Sequence, residues 1–292
     1  MSAPHHGFNI VETLRHELYP AIDPTKSDFS QPGKVVLITG SGRGIGRSIA
    51  LQLAQCKVAA ICLCARTHSE LDESEEKIRE VQQDVRVYKF PLDVANESSI
   101  RDVIAAITKA EGRLDILVNN AGFSPRLSSM VDSDTEEYWN TFIVNLKGPY
   151  MMIKNLLPLM LDTAKTTGKS VDIVNITSVG ANMVRKGPTA YLQSKFALTR
   201  MTEFVSLENG DKGINCISLH PGVVRTRLNE KNPELQTIDS LDLPGGFVAW
   251  FTKGERSWLN GRYLSATWDV DDLQAKREEI VKKDLLKMRM AL

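Results

Sequence analysis

The sequence predicts a single α/β domain, a doubly wound sheet of seven parallel strands with helices on both faces. Three observations predict it. Short apolar runs alternate with longer stretches of helical period from residue 34 onward, which is the pattern of successive βαβ units. The first run ends in a glycine-rich turn that opens a helix, as at a nucleotide-binding strand end. With 42% hydrophobic and 25% charged residues, the chain of 292 residues has the composition of a protein with a sizeable core.

In chain order, residues 1–33 carry Pro20, Pro24 and Pro32 and end in Ser30-Gln31-Pro32-Gly33. They read as an N-terminal extension closed by a turn, so the folded core is expected to begin near Lys34. Strands are expected at 34–39, 58–65, 85–90, 114–119, 170–177, 213–219 and 262–267, with helices between them. The longest connection, Asp134 to Ala164, spaces Tyr138, Phe142, Leu146, Tyr150, Ile153 and Leu157 at near-helical intervals. It predicts one helix with that face buried. Residues 225–248 are polar and contain Leu243-Pro244-Gly245-Gly246, which suits a loop covering a substrate. Residues 271–292 space Val281, Leu285, Met288 and Leu292, predicting an amphipathic tail helix packed on the core or on another subunit.

Composition excludes several classes of function. Lys plus Arg number 36 against 36 Asp plus Glu, with a pI near 7.0, so no net field recruits polyanions and nucleic-acid binding is not expected. No run approaches the roughly 20 apolar residues of a membrane helix. The N-terminus lacks the basic start and apolar stretch of a secretion signal. Cys56, Cys62, Cys64 and Cys216 form no Cys-x-x-Cys pair and read as reduced, buried thiols of a soluble cytoplasmic protein. No cluster has metal-ligand spacing, and His220 reads as a packed core histidine.

The glycine turn is Thr39-Gly40-Ser41-Gly42-Arg43-Gly44-Ile45-Gly46. Gly40 permits the tight turn, Gly44 lets backbone N–H groups approach a pyrophosphate, and Gly46 lets the helix pack close to the sheet. The helix N-terminus adds a favourable field for the anion. A dinucleotide site is therefore expected, with Ser41, Arg43 and Ile45 in the same cradle. The second strand ends in Ala65-Arg66 rather than in an acid. Arg66 and Arg43 would attract a ribose 2′-phosphate with no carboxylate to repel it, so NADP(H) is expected over NAD(H).

Tyr191 and Lys195 stand at i and i+4 in a helix-compatible stretch, so they share a face. A phenol titrates near pH 10. An ammonium about 5 Å away at an effective dielectric near 20 would contribute roughly 3 kcal/mol and lower that pKa by about 2, making Tyr191 a usable general acid and base. Upstream, the strand to Ile176 ends in Thr177-Ser178, where a hydroxyl can reach a substrate oxygen.

These motifs together resemble the short-chain dehydrogenase/reductase family over about Lys34 to Asp269. Thr39 to Gly46 is similar to its TGxxxGxG loop, Asp93-Val94 to its adenine-contacting dipeptide, Asn119-Asn120-Ala121-Gly122 to its NNAG motif, and Pro221-Gly222-Val223-Val224-Arg225-Thr226 to its PG motif. The resemblance implies a Rossmann-type fold, a catalytic set of Asn145, Ser178, Tyr191 and Lys195, and a homodimer or homotetramer. It assigns cofactor contacts to Gly40, Ser41, Arg43, Gly44, Ile45, Gly46, Arg66, Asp93, Val94, Asn119, Ala121, Gly122, Tyr191, Lys195, Pro221, Gly222, Val224 and Thr226. Tyr191 would pass the proton, Ser178 steady the carbinol oxygen, Lys195 hold the nicotinamide ribose, and Asn145 support a proton relay. The PG loop would hold the nicotinamide carboxamide. The ending Leu259 to Val270 resembles that of fungal members, many of which act in secondary metabolism.

By the same resemblance, Val179 to Pro188 and Arg225 to Pro244 would line a pocket with Phe123, Met183, Val184 and Leu228 as contacts. An apolar lining suits a hydrophobic small-molecule substrate such as a cyclic, terpenoid or polyketide ketone or alcohol. Arg126 and Arg185 near the mouth read as solvated. Three functions stay open: an NADP(H)-dependent carbonyl reductase or alcohol dehydrogenase, a net non-redox isomerase, epimerase or cyclase on the same scaffold, and a non-catalytic dinucleotide sensor. The full catalytic set argues against the last.

Overall fold

Strand β1, Val35–Thr39, is buried at all five positions, as a central strand covered on both faces must be. β2 is Ala60–Ala65, β3 Arg86–Pro91, β4 Ile116–Asn119, β5 Val171–Ile176, β6 Ile214–His220 and β7 Tyr263–Ser265. All pairings are parallel, in the order β3-β2-β1-β4-β5-β6-β7. The order reverses between β1 and β4, which opens the crevice at their carboxyl ends where such sheets bind ligands. This computed structural model describes residues 7, 10–26, 28–230 and 235–290. Each expected strand is present, displaced by no more than a few residues at its ends.

The helices are α1 Gly44–Gln55, α2 His68–Val81, α3 Glu97–Glu111, α4 Thr135–Phe142, α5 Gly148–Thr167, α6 Thr189–Asn209, α7 Leu243–Lys253, α8 Val270–Ala275 and α9 Arg277–Lys282. One core cluster joins α1, α2 and α7 to one side of the sheet through Ile38, Ile49, Leu53, Leu63, Leu71 and Phe247. The other joins α3 and α5 to its opposite side through Leu37, Cys62, Val103, Leu117, Met152 and Leu156. All four cysteines are free and buried.

Four expectations change. The helix expected over Asp134 to Ala164 is broken by a π-helical turn, Ile143–Lys147. Its extra residue shifts the register, so α5 buries Met151, Met152, Leu156 and Met160 while Tyr150 is exposed. Residues 243–248, expected in the loop, start α7 instead: Leu243 to Thr252 are all buried. Residues 231–234 of that loop lie outside the described residues.

The tail is not one helix. After α9 the chain reaches Asp284 and Leu286 at positive φ and runs on without helix. Its backbone is bound elsewhere: the Tyr263 N–H donates to the Leu286 carbonyl at 2.8 Å, Arg262 donates to the Leu285 carbonyl and Arg200 to that of Met288 at 2.7 Å. These tertiary bonds outweigh the helical spacing of the apolar residues; Leu292 lies outside the described residues.

The fold also begins well before Lys34. Val11, Tyr19, Ile22 and Phe29 belong to the same buried cluster as α1 and α7. Leu14 forms an antiparallel bridge with Trp268, and the Arg15 N–H donates to the Thr267 carbonyl at 2.7 Å. Irregular backbone with isolated apolar anchors leaves no period for sequence reading to detect.

Candidate active site

The glycine loop is built so that two peptides can touch. A Cβ at Gly46 would collide with the Gly40 carbonyl oxygen, and one at Gly40 would lie 3.0 Å from the Ala121 Cα. Gly40 and Gly44 hold φ of 67° and 56°, which glycine adopts without a Cβ penalty. Ser41 is buried and locks the loop to β2, accepting from the Cys64 N–H at 2.9 Å. Thr39 Oγ1 accepts from the N–H groups of both Asn120 and Ala121 at 3.0 Å.

Asn120 was not among the expected contacts, yet its amide donates to the carbonyls of Thr39 at 2.9 Å and Gly40 at 3.1 Å. Its neighbour Asn119 is instead buried inside the sheet, donating to Asn175 at 2.8 Å across β4 and β5. Their adjacency in the motif hid this division: successive residues past a strand end point to opposite sides.

The ribose end differs from expectation. Arg66 is exposed just beyond β2, but Arg43 is engaged by Glu70, and Arg227 approaches the same carboxylate at 3.7 Å. An acid therefore does lie beside the glycine loop. It comes from α2 rather than from the strand end, and it fits because Gly42 has no side chain: a Cβ there would be 2.8 Å from that of Glu70. Asp93 is exposed at the carboxyl end of the sheet beyond β3, and Val94 is buried against Gly148.

The catalytic candidates follow along the crevice. Lys195 Nζ lies 3.9 Å from the Cβ position of Gly122 and 5.7 Å from the centre of the Tyr191 ring. The Tyr191 hydroxyl stands beside that of Ser178, and the Ser178 oxygen accepts from the Gly180 N–H at 3.1 Å. Lys195 is buried and donates to the Ile176 carbonyl at 2.8 Å.

The expected lowering of the Tyr191 pKa is not found. Burial of the phenolate pushes it up to about 12, only partly opposed by Ser178, and burial pushes Lys195 down to about 8. Both charged forms lose solvent, and the desolvation cost exceeds the mutual attraction that the spacing alone suggested.

Asn145 sits in the π-helical turn and is fully buried. Its side-chain oxygen accepts from the Phe123 N–H at 2.8 Å; its amide donates to the Phe123 carbonyl at 2.9 Å and to Ser194 at 3.0 Å. Ser194 in turn donates to the Tyr191 carbonyl at 2.8 Å.

On the far side, the loop of Pro221 to Thr226 follows β6. Thr226 Cγ2 is 3.7 Å from the Cβ position of Gly44, so the two loops face one another across the crevice. Val224 is buried, and Asn229 closes the turn by donating to its carbonyl at 2.8 Å. His220 is buried, with a pKa pushed down to about 4 by desolvation.

A cavity of about 920 Å³ lies beside the β5–α6 connection. It is lined by Met183, Val184 and Arg185 but contains neither Ser178 nor Tyr191. Phe123 and Leu228 are not part of that lining. Among the described residues, no group of three His, Cys, Asp or Glu is placed to hold a metal ion, and no helix is long and apolar enough to cross a membrane.

The fold and this crevice define a dinucleotide-using oxidoreductase of the Rossmann type. Residues 34–236 match the short chain dehydrogenase family, and the chain belongs to it. It is 38% identical over 297 residues to the short chain dehydrogenase citE of Monascus ruber, covering 99% of each chain. To pigC, a short chain dehydrogenase of the same organism, it is 31% identical over 293 residues, covering 97% of this chain and 94% of that one. In structure it is similar to a 3-ketoacyl-(acyl-carrier-protein) reductase from Brucella melitensis complexed with NADH. That likeness has a TM-score of 0.74 at 23% identity, over 80% of this chain and 96% of the other.

Proposed function

We propose that the protein interconverts a ketone and a secondary alcohol with NADP(H), on a hydrophobic cyclic, terpenoid or polyketide substrate of secondary metabolism. The observation that carries this is one continuous line of side chains. Ser178 stands beside Tyr191, Lys195 lies 5.7 Å from the Tyr191 ring centre and 3.9 Å from the Cβ position of Gly122, and Ala121 adjoins the glycine loop.

The residues fit a dinucleotide. The glycines at 40, 44 and 46 keep Cβ atoms away from the backbone at the start of α1, where a pyrophosphate would lie. Arg66, exposed at the end of β2, favours a 2′-phosphate, and Arg43 joins it where the phosphate draws that side chain away from Glu70. When bound, the cofactor supplies the hydride. Tyr191, protonated throughout the working range because burial raises its pKa, gives its proton to the carbonyl oxygen in reduction, and Ser178 steadies that oxygen. Lys195 uses one of its three N–H donors on Ile176 and has the others for the ribose. Asn145 fixes the Phe123 peptide at the entrance. The loops bearing Leu127 and Gly187 touch, the Ser128 N–H reaching the Gly187 carbonyl at 3.4 Å, and the apolar Leu127, Met130 and Val131 that they expose suit a hydrophobic substrate.

The test is titration with NADPH and NADH, followed by quenching of tryptophan fluorescence, then loss of nicotinamide absorbance against a panel of cyclic ketones. Tighter NADPH binding with turnover is expected. Binding of neither dinucleotide overturns the cofactor reading, and binding without oxidation across the panel overturns the redox reading.

A further inference from the structure

Asp239 lies sixteen positions beyond Val223, outside every motif of the sequence, yet its side chain is almost completely buried beneath the Pro221–Thr226 loop. One carboxylate oxygen accepts from the Val223 N–H. The other meets His16 Nδ1 at 2.6 Å. Gly222 has φ 92° and no room for a side chain, since a Cβ would lie 2.8 Å from that same carboxylate. The backbones are joined as well: Val224 and Asp239 form a parallel bridge, and the Ser240 N–H donates to the His16 carbonyl at 2.7 Å.

His16 is itself anchored. Arg15, next to it, bonds Asp269 at 2.8 Å, and the Thr13 N–H donates to Asp272 at 2.8 Å. A buried carboxylate is tolerated where its oxygens are matched by donors, and charge-assisted bonds of this kind are the strong ones. Here the matched donors are a loop peptide and a residue of the N-terminal segment.

We infer that Asp239 and His16 are positioning residues for the loop that receives the nicotinamide end of the cofactor, which makes the N-terminal segment a working part of the site. The inference rests on the dinucleotide reading above. Removing Asp239 frees the Val223 N–H, and removing His16 takes away the partner that fixes the carboxylate holding it, so in either case the loop must be ordered at the moment of binding, at a cost in affinity. That cost falls on the nicotinamide end and leaves the adenosine end unchanged, because Gly40 to Gly46 are held by Thr39, Ser41 and Asn120 instead.

The experiment compares dissociation constants for NADPH and for 2′,5′-ADP, which lacks the nicotinamide, in the full-length wild type and in Asp239→Ala, His16→Ala and His16→Asn. If the wild type prefers NADH, that dinucleotide and 5′-AMP serve as the pair. Asp239→Ala and His16→Ala are expected to weaken the dinucleotide about tenfold and the fragment hardly at all. His16→Asn, which restores a donor near the Nδ1 position, is expected to recover most of the loss. Tyr19→Phe loosens the same segment where its hydroxyl accepts from the Val270 N–H; it is expected to lower Tm without separating dinucleotide from fragment. Equal losses for both ligands, or none in His16→Ala, overturn the inference. Failure of the wild type to bind either dinucleotide overturns the cofactor reading instead. Should Asp239→Ala not fold, the exposed His16 variants decide the matter.

Discussion

The Asn145 side chain grips the Phe123 peptide at both ends, accepting from its N–H and donating to its carbonyl. A continuous α-helix would carry Asn145 round its axis away from that peptide; the π-helical turn, adding one residue, keeps it aimed. Asn145→Ala is expected to leave the loop after β4 unsupported and to lower kcat/KM for the ketone about tenfold or more, with dinucleotide affinity preserved. Steady-state kinetics with each substrate varied separately checks this.

Tyr191→Phe deletes the proton donor while keeping the ring in place. Turnover should fall about a thousandfold with NADPH still bound, as followed by nicotinamide absorbance. Retention of full turnover would remove Tyr191 from the mechanism.

Glu70→Gln releases Arg43, which Glu70 engages beside the glycine loop. The pair is partly exposed, so the effect is modest: NADPH binding should tighten about two- to fivefold, with NADH affected less. Raising the salt concentration should shrink the difference. A fluorescence titration at two ionic strengths measures both.

Lys195→Met should abolish turnover yet raise thermal stability at neutral pH. The buried ammonium has its pKa pushed from 10.5 down to about 8 by desolvation, a net penalty of about 3 kcal/mol on its charged form. The unfolded chain binds the proton more tightly than the folded one, so the wild type gains stability as pH rises from 8 to 10.5. The advantage of the variant is therefore full below pH 8 and gone above 10.5. Melting curves from pH 7 to 11 show whether it converges.

Asp172 gives the opposite slope. It is buried at the amino end of β5, with Lys34 at 3.8 Å, and burial pushes its pKa up to about 7. The folded state holds this proton more tightly than the unfolded state, so its contribution to stability is lost as pH rises from about 4 through 7. Asp172→Asn is expected to stabilise the protein at pH 8, by about 2 kcal/mol, and to leave it unchanged near pH 4. Denaturant unfolding at the two pH values distinguishes them.

The strands were legible because parallel strands covered on both faces are continuous apolar runs, as in Val35 to Ile38 and Ile61 to Cys64. Tyr191 and Lys195 were legible because a four-residue spacing on a helix is a local fact. Glu70, Asn120 and Asp239 act through contacts made by the folded chain across 27, 80 and 223 positions, and no window of sequence holds both partners. The pKa of Tyr191 was misjudged for a related reason: the spacing gives the attraction of a neighbouring charge but says nothing of the solvent that folding removes.

The N-terminal segment has a consequence for synthesis. Leu14 pairs with Trp268 and Arg15 with Asp269, so this segment leaves the ribosome with no place to dock until the chain through Asp269 has followed. At about 5–20 residues per second that wait is about 10–50 s. During it, Tyr19 stays without the Trp268 and Val270 backbone groups it bonds, and the loop beside Asp239 is among the last parts of the crevice to take its shape. A nascent chain stalled before Trp268 would carry the glycine loop, Tyr191 and Lys195 while still lacking the means to seat its own N-terminus.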